Sequence, residues 1–299
     1  HLFGGSVGRE GVAVQIGATL SHRFARHIKI PDASRIFLMT GMAAGFAGLF
    51  QTPLAATFFA LEVLTVGELQ LMALYPALIA SIVASFTSHA LGLEKFAVPL
   101  KETLSWTPET LIKVALLGLA FGLAGKLFAV SLSWLKKTVA KVLPNPYIRI
   151  AVIGAGLSLI LLTLQLTKVG SYSGLGTNLI DVAFHQGSAQ SYDWILKLLF
   201  TVVTISAGYQ GGEVTPLFAI GATLGVFLAP LLGLPVLVVA AIGYASVFGS
   251  ATTTLLAPIL IGGEVFGYDN LPFFVIACAI AYCLPKEWSI YSGQKVAKK

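Results

Sequence analysis

Two carboxylates stand at the glycine-rich starts of apolar segments. Glu10 follows the glycines of GGSVGRE, and Glu213 follows those of GYQGGE. Glycines such as Gly8 and Gly11 allow main-chain N–H groups to approach a ligand closely. A helix that begins here presents unsatisfied N–H groups and the positive end of its dipole. Each motif is therefore predicted to form an anion-binding site.

A carboxylate inside an anion site can act in two ways. Ionised Glu10 can occupy the site itself, whereas protonated Glu10 can yield the site to a free anion. Desolvation in a membrane favours the neutral form of a carboxyl group. Competition between a free anion and a titrating side chain predicts the exchange of anions for protons. The alternative is that Glu10 only satisfies the helix dipole and pairs with Arg9.

The second motif, GGEVTP, adds further hydrogen-bond donors. Gly212 admits close approach, and Pro216 suits the first turn of a helix. The amides of Glu213 and Val214 are predicted to face the same anion, and Thr215 adds a hydroxyl donor. Ordinary N-capping is the alternative for Thr215. For Glu213, the alternative is a side chain that points away to a polar interface.

The elements that must position these residues are apolar helices of a membrane protein. The 299-residue chain is 56% hydrophobic and 11% charged, with a mean hydropathy of +0.85. Soluble domains usually carry about 25% charged residues. The chain lacks long alternating segments, so helices rather than a barrel are predicted to span the bilayer. Its net charge of +6 gathers in short connections, which excludes a nucleic-acid partner and predicts a cytoplasmic loop over residues 23–35. We expect the lipid bilayer as a partner, and neither a metal nor a cofactor.

The apolar segments are short and interrupted. Several fall below the ~20 residues that cross a bilayer, and Gly or Pro breaks others. This pattern is typical of transporters whose binding site lies between broken helices. The predicted segments are 8–27, 36–50, 53–66, 70–92, 108–135, 147–166, 193–207, 212–231, 235–249, 251–267 and 271–284.

An internal repeat connects the two motifs. The letters IGATL end both motifs, 204 residues apart, and the segments 49–63 and 251–265 align at a separation of 202 residues. The second alignment matches Glu62 with Glu264. About a hundred residues of apolar segments precede the second copy, so we expect a corresponding segment ahead of His1 in the complete protein.

The motifs GREGVAVQIGA, FQTPLAATFFALE, GGEVTPLFAIGA and IYSG resemble, in order and spacing, the CLC family of anion channels and proton-coupled antiporters. The resemblance implies an all-α integral membrane protein with a CLC-type inverted-repeat fold of short, tilted, broken helices. Residues 1–106 then form the C-terminal part of the first repeat and 107–299 the second repeat, with no separate soluble domain. It also implies a homodimer with one ion path per subunit, and we expect contacts through 53–92 and 251–284.

The resemblance assigns roles to particular residues. Glu10 matches the gating glutamate, which also transfers protons, and the amides of Glu213 and Val214 match the central anion site. Tyr291 matches the tyrosine whose hydroxyl holds the central ion, although a lone tyrosine here could also be an interface anchor. Glu62 matches the first of two paired glutamates and is, with Glu213, a possible part of the proton pathway.

Three departures from the usual family pattern resemble the fluoride-exporting branch. Val12 replaces a proline, Glu213 replaces a hydrophobic residue, and Val63 replaces the second glutamate. That branch couples fluoride to protons without the second glutamate. Fluoride is a small, strong acceptor that is costly to dehydrate, so its site needs several donors. Thr215, Tyr291, the main-chain amides and a protonated gating glutamate are predicted to supply them.

The sequence therefore predicts a proton-coupled antiporter that exports fluoride across a prokaryotic inner or plasma membrane. The alternative is a chloride channel or chloride/proton antiporter of the same family, because channels also lack the second glutamate. An enzyme is not expected, since no Ser/His or paired-Asp arrangement and no HExxH motif occurs in the apolar segments. For Glu62 and Glu264, the alternative is that they satisfy neighbouring backbone or face a water-filled vestibule.

Overall fold

A computed structural model describes residues 4–166, 171–186 and 188–296. Within them the regular secondary structure is helical, as predicted, apart from two short strands, β1 (Thr65–Val66) and β2 (Lys295–Val296), which form a parallel pair. A 3-10 turn, Leu71–Ala73, precedes α4, and a π-type turn, Val182–Gln186, follows α7. The helices are α1 (Glu10–Ala25), α2 (Ala33–Phe50), α3 (Pro53–Glu62), α4 (Leu74–Ala90), α5 (Pro108–Val142), α6 (Pro146–Leu166), α7 (Thr177–Asp181), α8 (Asp193–Ala207), α9 (Val214–Leu232), α10 (Val236–Thr252), α11 (Leu256–Phe266) and α12 (Leu271–Tyr282).

Most helices lie where the apolar segments predicted them, and the exceptions have local causes. The helix α5 continues past the apolar stretch to Val142, because the lysines near its end favour helix and extend beyond the apolar region. The helix α10 continues to Thr252, and Thr253 ends it with a left-handed φ of 57°. The segment predicted to begin at residue 251 therefore begins as α11 only at Leu256. The helix α7 follows a glycine-rich loop and was not predicted.

Long and short helices are mixed, as the interrupted pattern indicated. Among the described residues, five helical spans are long and apolar enough to cross a membrane. They are 33–50, 71–90, 108–142, 146–166 and 214–232. The remaining apolar helices, such as α3 and α11, are shorter. Helices α9 and α10 are buried over most of their length, whereas α4 and α6 expose large apolar side chains, which suits helices that face lipid or a partner.

Two helix pairs are joined at glycines in the same way. A Cβ atom on Gly17 of α1 would collide with the main-chain oxygen of Gly41 on α2, and the reverse contact is equally close. The pair α9 and α10 repeats this contact between Gly221 and Gly243. Small residues allow membrane helices to pack backbone to backbone. The repeated letters in the sequence thus correspond to a repeated helix–helix contact.

The matched glutamates cap each other's helices. The two carboxylate oxygens of Glu62, at the end of α3, accept hydrogen bonds of 2.7 Å from the amides of Leu255 and Leu256, at the start of α11. Conversely, Glu264 of α11 accepts bonds of 3.1 and 2.9 Å from the amides of Leu54 and Ala55, at the start of α3. Each acid satisfies two N–H groups that a helix start leaves without a partner. The observed bonds match the alternative in which these acids satisfy neighbouring backbone.

Candidate functional site

The two glycine motifs meet at a short antiparallel bridge. The amide of Gly8 donates to the carbonyl of Gly212 at 2.7 Å, and the amide of Gly212 donates back to Gly8 at 2.8 Å. Helix α1 begins two residues after Gly8, and α9 begins two residues after Gly212. The bridge therefore brings two helix N-termini together, and their dipoles favour negative charge at the same place.

Glu10 lies at this junction and is buried, with 1% of its surface exposed. Its carboxyl group is folded against the backbone of both motifs: a Cβ atom on Gly8 or Gly212 would collide with Glu10 Oε2. A side chain at Gly8 would displace the carboxyl group of Glu10, and one at Gly212 would also collide with the main-chain nitrogen of Gly11. Gly11 is different, since a Cβ atom there would make an ordinary contact of 3.5 Å with Gly212 Cα.

The carboxylate of Glu10 accepts a hydrogen bond from a donor that a free anion could also use. The hydroxyl of Thr215, in the first turn of α9, donates to Glu10 Oε1 across the junction. Glu10 Oε2 is buried and has no hydrogen-bond partner among the described residues. Within the same residues, no ion pair joins Glu10 to Arg9. The carboxylate group thus stands where a free anion would accept the same hydroxyl proton.

Glu10 also separates two cavities. A cavity of about 560 Å³, which we call the Thr215 cavity, is lined by Thr215, Phe50 and Glu94. A second cavity of about 810 Å³, the Tyr291 cavity, is lined by Gly11, Glu213, Val214, Tyr291 and Lys136. Among the described residues, Glu10 alone lines both cavities. A movement of this one side chain would therefore change the connection between them.

Glu213 and Tyr291 face the Tyr291 cavity from different elements. Glu213 is the N-cap residue of α9, yet its side chain makes no capping bond and instead lines the cavity. The ring of Tyr291 packs at 6.4 Å, edge to face, against Phe59 of α3. The main chain of the preceding residue, Ile290, donates to the carbonyl of Ala251 at 3.0 Å. This bond ties the segment that carries Tyr291 to the end of α10.

Lys197 is a residue that the motif analysis missed. It is fully buried in α8, and its ammonium group donates to Ser6 Oγ at 2.9 Å and to the carbonyls of Gly174 and Tyr172 at 2.8 and 3.3 Å. Ser6 belongs to the first glycine motif, so Lys197 fixes the segment that leads into Glu10. The signal was available, because a lone ionisable residue within an apolar membrane segment usually has a function and a partner.

Glu62 does not join this site. It lines a separate cavity of about 400 Å³ together with Glu68 and Thr253, and both of its oxygens cap α11. The structure thus brings together most of the residues that the sequence singled out, and it places Glu62 elsewhere. The residues that meet are Gly8, Glu10, Gly11, Gly212, Glu213, Val214, Thr215 and Tyr291.

Comparisons with known proteins agree on one family. The chain matches the family model described as voltage gated chloride channel over residues 1–286. A chloride/fluoride channel protein of Pseudomonas syringae pathovar tomato is 39% identical over 300 residues, which cover 99% of this chain and 66% of that protein. The crystal structure of a CLC-type fluoride/proton antiporter has 55% sequence identity and a TM-score of 0.95, and the match covers 99% of this chain and 74% of that one.

A more distant structure shares the fold alone. The X-ray structure of a slow cyanobacterial chloride/proton antiporter matches with 21% identity and a TM-score of 0.76, over 94% of this chain and 68% of that one. The present chain therefore spans between about two thirds and three quarters of the length of these three relatives.

Proposed function

The chain belongs to the CLC family, as its motifs predicted, and we propose that it is a multi-pass membrane antiporter that exports fluoride in exchange for protons. One observation carries the proposal: the buried carboxyl group of Glu10 accepts a hydrogen bond from the Thr215 hydroxyl, and Glu10 lies between the two cavities. It thereby uses the donor that a transported anion needs, and it is itself a proton carrier. The 55% identical structure is that of a CLC-type fluoride/proton antiporter.

The exchange follows from competition for the same donors. When Glu10 is ionised, its carboxylate accepts from Thr215 and closes the junction. An incoming fluoride can take over the Thr215 hydroxyl and the exposed amides of the two helix starts only if the carboxyl group leaves. Protonation lowers the attraction of the carboxyl group for those donors. A proton and an anion therefore alternate at the junction, which couples their movements.

The donors at the junction favour fluoride over chloride. Thr215 and Tyr291 are hydroxyl donors, and hydrogen bonds to an anion strengthen as its charge becomes more concentrated. Glu213 would repel an anion when ionised, but a protonated carboxyl group is one more donor. The Pseudomonas syringae relative carries both ions in its name. We assign preference for fluoride to these three side chains.

The proton route is proposed to pass through Glu213. This side chain lines the Tyr291 cavity beside Lys136, and Glu10 lines the same cavity. Protons can therefore pass from Glu213 to Glu10 through this cavity. Glu62, which the resemblance offered as a second member of the route, uses both oxygens as helix caps, so we propose that its role is structural.

Passive anion conduction is the second candidate. Val63 lines the Tyr291 cavity at the position where chloride/proton antiporters of the family carry an acid, and a channel does not need that acid. We give no weight to an enzymatic role, because the similar proteins are channels and antiporters by name.

Reconstitution separates the candidates. Protein in liposomes loaded with fluoride should take up protons against a proton gradient while fluoride leaves, and Glu10→Gln should abolish proton movement because the amide does not titrate. Fluoride and pH electrodes record both ions in one experiment. Fluoride efflux without proton uptake by the parent protein would establish a channel. Retained proton coupling in Glu10→Gln would remove Glu10 from the mechanism.

We further propose that the chain is built from inverted repeats and works as a homodimer. The repeated glycine contacts and the reciprocal glutamate caps support the repeat. Large apolar side chains support the dimer, because residues of the 71–91 region such as Tyr75, Ile79 and Phe86 are 77%, 63% and 75% exposed. A mass measurement in detergent that finds only monomer at high protein concentration would contradict the dimer.

A further inference from the structure

Tyr244 of α10 is held rigidly beside the site. Only 3% of its surface is exposed. Its ring stacks on Phe218 with a centroid distance of 3.9 Å and an interplanar angle of 9°, and the ring of Phe266 meets it edge to face at 5.2 Å. Aromatic contacts on several sides leave the ring little freedom to rotate. The direction of its hydroxyl group is therefore fixed by packing.

The packing places Tyr244 at the same cavity as Glu10. Its stacking partner Phe218 lies three residues after Thr215, so both occupy the same face of α9. That face carries the hydroxyl of Thr215 to Glu10. Glu10, Thr215 and Tyr244 all line the Thr215 cavity.

The hydroxyl group of Tyr244 is available to a ligand. It makes no hydrogen bond with any residue that the structure describes. Buried tyrosine hydroxyls usually find a partner, because an unpaired buried polar group costs free energy. By contrast, the buried Tyr172 donates to Asp193 at 2.7 Å. The Tyr244 hydroxyl is not one of the fully buried polar atoms that lack a partner, so it is open to the cavity and can donate to a ligand in it.

In both copies of the internal repeat, the residue that corresponds to Tyr244 lines a cavity. Tyr244 corresponds to Met42 at the separation of 202 residues that also matches Gly243 with Gly41. Met42 lines the Tyr291 cavity, and Tyr244 lines the Thr215 cavity. A methionine offers no hydrogen-bond donor, and Tyr291 supplies the phenol on that side. Each cavity is thus lined by Glu10 and by a phenol of this kind, Tyr244 on one side and Tyr291 on the other.

We propose that Tyr244 donates a hydrogen bond to fluoride on the Thr215 side of Glu10 and helps to select fluoride over chloride. An ion that crosses the junction would leave the phenol of Tyr291 and meet that of Tyr244. The inference rests on the fluoride transport proposed above. Fluoride forms a stronger hydrogen bond with a hydroxyl donor than chloride does, because its charge is more concentrated.

The test is Tyr244→Phe, which removes the hydroxyl and keeps the stacked ring. Fluoride and chloride efflux are measured from liposomes with ion-selective electrodes, together with proton uptake. We expect fluoride efflux to fall about ten-fold, the usual scale for one hydrogen bond to a charged group. Chloride efflux should change much less, and the number of protons per fluoride should stay the same because Glu10 remains. Tyr268→Phe, at an exposed tyrosine between α11 and α12, is the matched control and should leave both rates unchanged.

The outcomes separate this inference from the function on which it rests. A lower fluoride-to-chloride ratio in Tyr244→Phe alone supports the inference. An unchanged ratio, in a preparation in which Tyr291→Phe does lower it, overturns the role of Tyr244 and leaves the fluoride antiporter standing. If the parent protein moves chloride but not fluoride, both proposals fail together. Fluoride titration calorimetry of the parent and Tyr244→Phe in detergent provides a second readout, and equal affinities would also count against the contact.

Discussion

At the scale of single residues, the proposed site depends on a carboxylate that takes the place of an anion. Glu10 fills the space above Gly8 and Gly212 and accepts the hydroxyl of Thr215. The sequence predicted that ionised Glu10 can occupy an anion site, because the acid follows glycines at the start of an apolar helix. It could not predict the direction in which the Thr215 hydroxyl points, since capping its own helix and crossing to another helix need the same residue type.

Thr215→Val tests the value of this hydroxyl. Valine has nearly the same shape but donates no hydrogen bond, so both the ionised gate and the incoming fluoride lose one donor. A hydrogen bond to a charged group contributes about 1.5–3 kcal/mol, and we expect fluoride turnover to fall about ten- to hundred-fold. Fluoride efflux from liposomes measures the change.

The matched control for this variant is Thr223→Val. Thr223 lies on the same helix and is also buried, but its hydroxyl donates only to the carbonyls of Ala219 and Ile220 within α9. It should transport fluoride at close to the parent rate. Equal losses in the two variants would mean that Thr215 acts through helix stability and not through the junction.

The partners of Lys197 and the position of Tyr244 could not be found from local sequence. Lys197 lies close to Ser6 only because α8 packs against the loop before α1, 191 residues earlier in the chain. Tyr244 likewise has no motif around it, and its position follows from the contact between Gly221 and Gly243. Such residues acquire their roles through tertiary packing, which a pattern in one segment does not contain.

At the scale of elements, α3 and α11 are joined by mutual capping. The order and approximate length of these helices could be predicted from the sequence, because glycine and proline interrupt the apolar segments at recognisable places. The repeat predicted that Glu62 and Glu264 occupy equivalent positions, but it did not predict which amides they would accept hydrogen bonds from. The free amides at a helix start need acceptors from outside the helix. Here each of the two helices supplies a carboxylate that accepts from the amides of the other.

Glu62→Ala distinguishes a cap from a proton relay. The substitution leaves the amides of Leu255 and Leu256 without acceptors, at a cost of about 1–3 kcal/mol for a buried unsatisfied donor. We expect the melting temperature in detergent to fall by several degrees, while the number of protons moved per fluoride stays unchanged. Differential scanning fluorimetry and the liposome assay measure the two quantities.

The control for Glu62→Ala is Glu68→Ala. Glu68 lines the same cavity, but its side chain is exposed, so its loss should alter neither quantity. An unchanged melting temperature in Glu62→Ala, combined with lost proton movement, would return Glu62 to the proton pathway.

At the scale of the whole molecule, the decisive event is that two motifs 204 residues apart form one site. The sequence repeat indicated that two similar units exist, and the family resemblance predicted that they face each other. The repeat alone could not show that Gly8 and Gly212 would bond directly, because the letters of two copies carry no information about their relative orientation. Two helix starts that meet below the surface create a site that neither copy could form alone.

Charge distribution orients this site in the membrane. The helix α2 ends at Phe50, which lines the Thr215 cavity. Its 18 residues span about 27 Å, which is nearly the thickness of the hydrocarbon core of a bilayer. Its start and the basic loop before it therefore lie on the Tyr291 side. Lys136 and Arg149 line the Tyr291 cavity as well. Because basic connections stay in the cytoplasm, the Tyr291 cavity should open to the cytoplasm and the Thr215 cavity to the outside.

Thiol labelling in intact cells can test this orientation. Cys278 is buried and Cys283 is exposed, so single cysteines are placed in a Cys283→Ser background. Arg26→Cys reports on the basic loop, and Lys95→Cys reports on the connection whose neighbours Glu94 and Phe96 line the Thr215 cavity. A membrane-impermeant maleimide should label Lys95→Cys in intact cells and Arg26→Cys only after permeabilisation. The reverse pattern would contradict the proposed orientation, because exported fluoride would then enter the site past Thr215 and leave it past Tyr291.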